Sequence, residues 1–396
     1  MVDVIISENT RPASGCLPLT YYSAGGVFLA LEQKGLDVRW VDIAADRSIG
    51  PFREICCFAI FFGNKIRAIS DMKKIRSDKN SRRRIIAFGP FAAAFSEEFL
   101  SRGLADMVVS ADPEFVIPLI MSAEKNISAL STIPNLSYIH NGKIVSSPKY
   151  SFDDLDELPF IGSYLYGQGD RPAHMMTARG CQYHCVFCER NAMWGGGVRN
   201  RSVESVLNEI QNIVSKYRIR EIRFLDEDLA ADRKRLAKIC EGIRRIKGNF
   251  KWECSACVDS VSRELLLLMG LSHCGQVNFG VESASPSVLR QIGKRYGRED
   301  IVNSVRWAKE AGLKVEIMLT IGNPGETDND QRLTLSLIDE IGPDVHIRTN
   351  RLVVLPGTAL YRKGLRQGWY TQKSFFEDEG IVFYNEHGIA HEQESL

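Results

Sequence analysis

The chain of 396 residues carries 50 lysines and arginines against 49 aspartates and glutamates, with 44% apolar residues, 25% charged residues and ten cysteines. At roughly 150 residues per domain, that length predicts two or three domains, each able to bury a core without disulfide staples. Ordinary apolar content at a net charge of +1 excludes a disordered chain, and it gives no global electrostatic reason to expect nucleic acid or an anionic membrane as the main partner. The longest apolar runs, 56–62 and 115–121, fall far short of the ~20 residues that span a bilayer, so no membrane association is expected. The first ten residues carry Asp3 and Glu8 and no basic region, which does not read as a signal peptide. A cytoplasmic location is expected, where thiols stay reduced.

Up to about residue 125, short β-rich runs at 2–7, 37–43, 56–62, 84–88 and 106–109 alternate with helical stretches near 26–34, 64–77, 92–103 and 113–124. The alternation predicts an α/β, doubly wound (Rossmann-like) domain over 1–130 with five parallel strands. Ligands of such sheets lie beyond the carboxyl ends of the strands, here at Phe62-Gly63-Asn64 and Gly89-Pro90-Phe91. Residues 131–171 hold a hairpin signal at Asn141-Gly142 and an acidic stretch, Phe152 to Pro159, read as a linker. From 172 to 396 the period lengthens. Strands are expected at 173–179, 220–226, 250–257, 276–283, 314–321 and 344–354, each followed by a helix except for a short C-terminal extension. Six βα units predict a partial (β/α)6 barrel whose chemistry sits on the loops after the strands.

Directly after the first of these strands comes Arg179-Gly180-Cys181-Gln182-Tyr183-His184-Cys185-Val186-Phe187-Cys188. Three cysteines spaced 4 and 3 apart can converge three soft thiolates on one centre, which suits an iron-sulfur cluster or zinc. Spacing alone leaves both metals open, along with a zinc site completed by His184. Three thiolates on a four-iron cluster would leave one iron for an outside ligand.

The C-x3-C-x2-C spacing with aromatic Phe187 before the last cysteine resembles the signature of the radical S-adenosylmethionine (SAM) enzymes. Further matches fall at strand ends: Asp226-Glu227-Asp228, Gly280-Val281-Glu282-Ser283, Ile321-Gly322-Asn323-Pro324-Gly325-Glu326 and Pro356-Gly357-Thr358-Ala359-Leu360-Tyr361. The set resembles the branch in which a cobalamin-binding-like domain precedes the barrel. The resemblance implies that Cys181, Cys185 and Cys188 hold a [4Fe-4S] cluster whose open iron takes SAM, with Phe187 beside it. It implies that Asp226 or Glu227 meets the α-amino group, that Glu282 and Ser283 meet ribose hydroxyls, and that Gly322 and Gly325 let backbone approach the adenine. Phe62, Gly63 and Gly89 would border a cobalamin. The Asp-x-His-x-x-Gly motif of many cobalamin domains is missing, and Cys257 stands where the family often has a basic residue. The implied partners are a small-molecule substrate and an electron donor such as flavodoxin or ferredoxin.

The implied activity is cobalamin-dependent methylation of an unactivated carbon in a small biosynthetic intermediate. The alternatives are a cobalamin-independent radical cyclisation, rearrangement or coupling with a vestigial first domain, and a non-catalytic metal- or corrinoid-binding protein. A tRNA methylthiotransferase fits less well, since its usual extra cysteines and basic C-terminal module are not found. Cys254 and Cys257 sit three apart on a predicted strand, so they point to opposite faces and read as core rather than ligands. The basic run 73–84 reads as a solvated face. His346, Arg348 and Asn350 alternate along the sixth strand and share one side, which makes Arg348 a candidate for an anionic substrate group.

Overall fold

A computed structural model describes residues 1–7, 19–43, 51–78, 83–123, 127–161, 172–194, 197–378, 381–385 and 388–392. Cys16 and the pair Gly195-Gly196 lie outside the described residues. The chain forms two compact units. One comprises Met1–Leu165, Ala192–Gly195 and Tyr370–Asp378, and the other comprises Tyr166–Asn191, Gly196–Trp369 and Glu379–Leu396.

In the first unit, strands β1 (Val2–Ile6), β2 (Val38–Asp42), β3 (Ile55–Ala59), β4 (Arg84–Phe88) and β5 (Met107–Val109) alternate with helices such as α1 (Leu19–Gln33) and α2 (Lys65–Ser77). The five strands are parallel in the order β2-β1-β3-β4-β5, as the alternation requires. β1 and β3 are buried along their whole length, which explains why they read as continuous apolar runs. The hairpin β6 (Leu136–His140) and β7 (Lys143–Ser146) extends this sheet antiparallel beyond β5, so the sheet has seven strands where five were expected. Asn141 (φ +50°) and Gly142 (φ +73°) supply the two left-handed residues of its turn.

Asp3, fully buried in β1, receives both guanidinium arms of Arg39 at 2.8 and 2.7 Å and the Arg53 backbone N–H at 2.8 Å. A buried carboxylate needs such pairing to be tolerated. Beyond β3 and β4, Phe62 meets Phe91 and Phe375, while Phe376 packs on Phe91, Phe95 and Phe99. Phe375 and Phe376 belong to the helix Gln372–Glu377. Each buried phenylalanine contributes roughly 1.5–3 kcal/mol, against about 1 kcal/mol at most for the solvent-facing Arg102–Glu377 pair at 2.9 Å. Aromatic burial therefore holds this helix. The basic run is also accounted for: Lys74 pairs with Asp71, Arg76 with Asp106 and Arg83 with Asp78 at 2.7–3.0 Å.

The second unit is built on six parallel strands in the order β15-β14-β13-β12-β11-β8. They are β8 (Ala173–Met175), β11 (Glu221–Phe224), β12 (Lys251–Ala256), β13 (Cys274–Glu282), β14 (Lys314–Ile321) and β15 (His346–Arg351). The expected first strand breaks after Met175. Its continuation, β9 (Ala178–Arg179), pairs antiparallel with β10 (Arg199–Asn200) instead. The sheet has two chemically distinct faces. Trp252, Cys254, Val277, Phe279 and Ile317 are buried on one. The alternate positions carry polar groups, including an Arg223–Glu253 ion pair at 2.9 Å and Glu316 held by His346 at 2.8 Å and Arg348 at 2.9 Å. Cys254 abuts Cys274 in the core, while Cys257 falls just past the end of β12, so the two share no centre. Among the described residues, no helix is long and apolar enough to cross a membrane.

His174 in β8 is 2% exposed, and burial, with Arg223 beside it, holds its imidazole neutral down to about 4 against an ordinary value of 6.5. The unfolded chain binds a proton in that window which the folded chain refuses. The stability that His174 confers is therefore complete above its unfolded value and is lost as pH falls towards the folded one, at up to ~1.4 kcal/mol per pH unit. The drop in the urea midpoint from pH 7 to pH 5 is expected to be smaller in His174→Gln than in the parent. An equal drop would show that His174 titrates normally.

Candidate metal centre

The cysteine loop is closed at its neck by the β9–β10 pair, with Arg179 opposite Arg199. Gly180 then turns at φ +91°, and a side chain there would lie 2.0 Å from the carbonyl oxygen of Gly197. Only glycine allows this approach. Two backbone hydrogen bonds pin the loop further along: Val186 N–H donates to Ile292 O at 3.2 Å, and Leu360 N–H donates to Val186 O at 2.9 Å. Leu360 lies in the motif that follows the sixth strand, whose Thr358 caps the helix Ala359–Gln367 by accepting from Tyr361 N–H at 3.0 Å. Gly293 (φ +88°), which ends the helix Pro286–Ile292, sits against the loop, and a Cβ there would lie 3.2 Å from His184 O and 3.6 Å from Cys185 Cα. Tyr183 donates its hydroxyl to Asp259 at 2.7 Å.

Cys181, Cys185 and Cys188 are all half-buried, whereas Cys56, Cys57, Cys240, Cys254, Cys257 and Cys274 are buried. Exposure separates candidate ligands from core thiols. Burial raises the Cys181 thiol to about 11 and also raises Cys185 and Cys188. The Lys294 charge opposes burial at Cys185, and Arg190 does so at Cys188. The other two cysteines raise the Cys181 thiol further, so the three sense one another electrostatically. Among the described residues, no three ligating side chains are drawn into metal-binding geometry. The loop therefore supplies a donor set that closes on binding, with release of the thiol protons. Three soft donors on one pinned loop fit an iron-sulfur cluster with an open iron.

The acidic triplet after β11 divides its labour. Asp226 is 4% exposed, and its two oxygens accept from Thr177 N–H at 2.9 Å and the Thr177 hydroxyl at 2.6 Å. It locks the strand ends together. Glu227 lies 3.7 Å from Arg190. Asp228 accepts from Cys257 N–H at 3.1 Å and the Ser260 hydroxyl at 2.8 Å through one oxygen. Its other oxygen is buried with no hydrogen-bond partner among the described residues. Sequence reasoning passed over Asp228 because nothing in the triplet marks which carboxylate the fold consumes.

Glu282 ends β13 at φ +64°, in a bulge where the β13–β14 register shifts between Gly280 and Glu282. A non-glycine residue held there is strained by roughly 1–3 kcal/mol. Its carboxylate accepts from the Thr320 hydroxyl at 2.6 Å and lies 3.8 Å from Lys294 Nζ. Ser283 is fully buried, with its hydroxyl 3.3 Å from that of Thr334 and accepting from Ser285 N–H at 3.1 Å. These contacts hold the turn that follows β13. Gly322 (φ +80°) faces Tyr384 O, and a Cβ on Gly325 (φ +69°) would lie 2.8 Å from the Gln291 amide. Both glycines take left-handed backbone with protein atoms close beside them. Glu326 closes their turn, accepting from Gly322 N–H at 2.7 Å and Asn323 N–H at 3.2 Å. Phe187 is half-buried on the cysteine loop. Arg348 is 54% exposed and anchored to Glu316, whose side chain is 5% exposed.

In the first unit, Gly89 (φ +100°) has the carbonyl of Ile60 2.6 Å from where its Cβ would stand, and Phe62 is engaged by Phe91 and Phe375. Both positions are packed against neighbouring protein atoms. Gly63 is exposed, with open space beside it. Ser7, just past the end of β1, is fully buried, and its hydroxyl has no hydrogen-bond partner among the described residues.

Gly180→Ala combines a left-handed backbone with a clash against Gly197. It is expected to lower the iron retained after anaerobic reconstitution several-fold with the circular dichroism spectrum preserved. Iron retention equal to the parent's would show that the neck does not order the loop.

Residues 175–338 match the Radical SAM superfamily. An uncharacterized methyltransferase of Pyrococcus horikoshii is 29% identical over 297 residues, covering 73% of this chain. The chain spans 64% of that relative's length. Among solved structures, the radical SAM methyltransferase TsrM from Kitasatospora setae, with cobalamin and a [4Fe-4S] cluster bound, superposes with a TM-score of 0.74 at 15% identity, over 92% of this chain and 75% of its own. OxsB, a cobalamin-dependent SAM radical enzyme with aqua-cobalamin bound, gives a TM-score of 0.71 at 19% identity, over 95% of this chain and 56% of its own. At these identities the structural likeness is one of fold.

Proposed function

Residues 175–338 are a radical SAM domain, and on that premise we propose that the chain cleaves SAM reductively at a [4Fe-4S] cluster in order to methylate an unactivated carbon of a small molecule, with cobalamin as methyl carrier. The observation that carries this reading is the three-cysteine loop, pinned by Gly180, Ile292 and Leu360 beside the strained carboxylate of Glu282. When bound, the cluster supplies one electron that breaks a carbon–sulfur bond of SAM and yields a 5'-deoxyadenosyl radical able to abstract a substrate hydrogen. The protein's part is to bind and orient. Cys181, Cys185 and Cys188 hold the metal. Glu227 and the Asp228 oxygen that has no hydrogen-bond partner among the described residues suit the cationic α-amino group. Glu282, fixed by the Thr320 hydroxyl, suits a ribose hydroxyl. Arg348, kept in place by Glu316, offers its remaining N–H donors to an anionic group on the substrate. The electron comes from a one-electron donor of the flavodoxin or ferredoxin class.

Cobalamin would take the crevice beyond β1 and β3, the switch point of the doubly wound sheet. The Ser7 hydroxyl, which has no hydrogen-bond partner among the described residues, and the open Gly63 fit a polar ligand there. Its chemistry is to accept and release a methyl group. A second reading, a cobalamin-independent radical reaction, is favoured by the internal packing of Phe62 and Gly89.

Anaerobically reconstituted protein is expected to bind about four irons per chain and to release 5'-deoxyadenosine from SAM under dithionite, with Cys185→Ala losing that activity. Cleavage at the parent rate in Cys185→Ala would end the radical reading. Titration with hydroxocobalamin is expected to shift its visible spectrum in the parent and less so in Ser7→Leu. No shift in the parent would select the second reading.

A further inference from the structure

The helix Pro286–Ile292 ends at Gly293, and the turn that follows is pressed onto the cysteine loop through Ile292 O, which accepts from Val186 N–H, and through Gly293 against His184 and Cys185. That turn carries Lys294. Its side chain is 9% exposed and folds inward, so that Nζ donates to Gly280 O at 3.1 Å and lies 3.8 Å from Glu282 Oε1. Tyr296 stands beside it and donates its hydroxyl to the same Gly280 oxygen at 2.6 Å. An ammonium withdrawn from water this far is costly unless nearby negative charge stabilises it. Glu282 supplies one such charge, and the thiolates of the adjoining loop would supply more once a metal is bound.

We propose that Lys294 is a positioning residue for the electrostatics of the cluster: its buried positive charge raises the reduction potential of iron bound at Cys181, Cys185 and Cys188. This rests on the cluster reading above. Reduction adds one electron from an external donor to [4Fe-4S]2+, giving [4Fe-4S]+, with no bond or proton changing hands. The added negative charge is stabilised by a fixed cation in a medium of low polarity far more than it would be in water. Cys257, just past the end of β12, is neutral, and the cation comes from the turn after the helix Pro286–Ile292, beyond β13.

The test is a potentiometric titration of the reconstituted protein, monitored by the paramagnetic signal of the reduced cluster, in the parent, Lys294→Gln and Lys294→Arg. Glutamine keeps a donor for Gly280 O but removes the charge and leaves Glu282 uncompensated. Arginine keeps the charge. The midpoint is expected to move to more negative potential in Lys294→Gln and to stay near the parent in Lys294→Arg, with parent-like iron content in both. An unshifted Lys294→Gln, an arginine variant shifted as far as the glutamine variant, or loss of iron from Lys294→Gln would each overturn the assignment. A parent that takes up no iron would overturn it together with the cluster reading, and that failure is visible before any variant is made.

Discussion

The close approach of Gly180 to the carbonyl of Gly197 is the constraint on which the site depends. A loop with three cysteines has no intrinsic reason to present them together, because ordering its backbone costs about 1–2 kcal/mol per residue. Here the cost is offset before any metal arrives. The β9–β10 pair closes the neck, Gly180 permits the closure, and Ile292 and Leu360 fasten the middle from two different βα connections. Thiols placed this way stay half-exposed, while the other described cysteines of the chain are buried. A metal would then have to draw the three thiols together and displace their protons, on a loop whose backbone is already held.

Strain and charge accumulate at the same strand ends. Glu282 is held in a left-handed conformation by a bulge, and it shares its surroundings with a buried lysine, a buried tyrosine and the Thr320 hydroxyl. Such a bulge re-aims one side chain without disturbing the ladder on either side. The opposite end of the chemistry is the polar face of the six-stranded sheet. The Arg223–Glu253 and Glu316–Arg348 pairs occupy positions that would be apolar in a filled barrel. Paired in this way they are tolerable on a half-buried face.

Much of this was legible in the amino-acid order. Continuous apolar runs gave β1 and β3 away as parallel strands buried on both faces, Asn141-Gly142 marked the hairpin, and cysteine spacing isolated Cys181, Cys185 and Cys188 from the remainder. What stayed hidden was the use to which individual polar residues and glycines are put. Asp226 and Ser283 look like ligands at strand ends, yet Thr177 and Thr334 consume them. Gly89, Gly322 and Gly325 read as room for a cofactor, and the sequence does not show that Ile60, Tyr384 and Gln291 stand close beside them. Lys294 lies far along the chain from the cysteines and reaches them only because the turn at Gly293 folds back. Contacts made across separate βα units have no signature in local periodicity.

The central claim is that the three cysteines leave one iron of a cluster open to SAM. Its most direct test is the electron paramagnetic resonance spectrum of the reduced, reconstituted protein recorded before and after addition of SAM. Ligation of the open iron predicts a clear change in g values on addition, reversed when SAM is removed by gel filtration. Identical spectra with and without SAM, from a protein carrying its full complement of iron, would contradict the account.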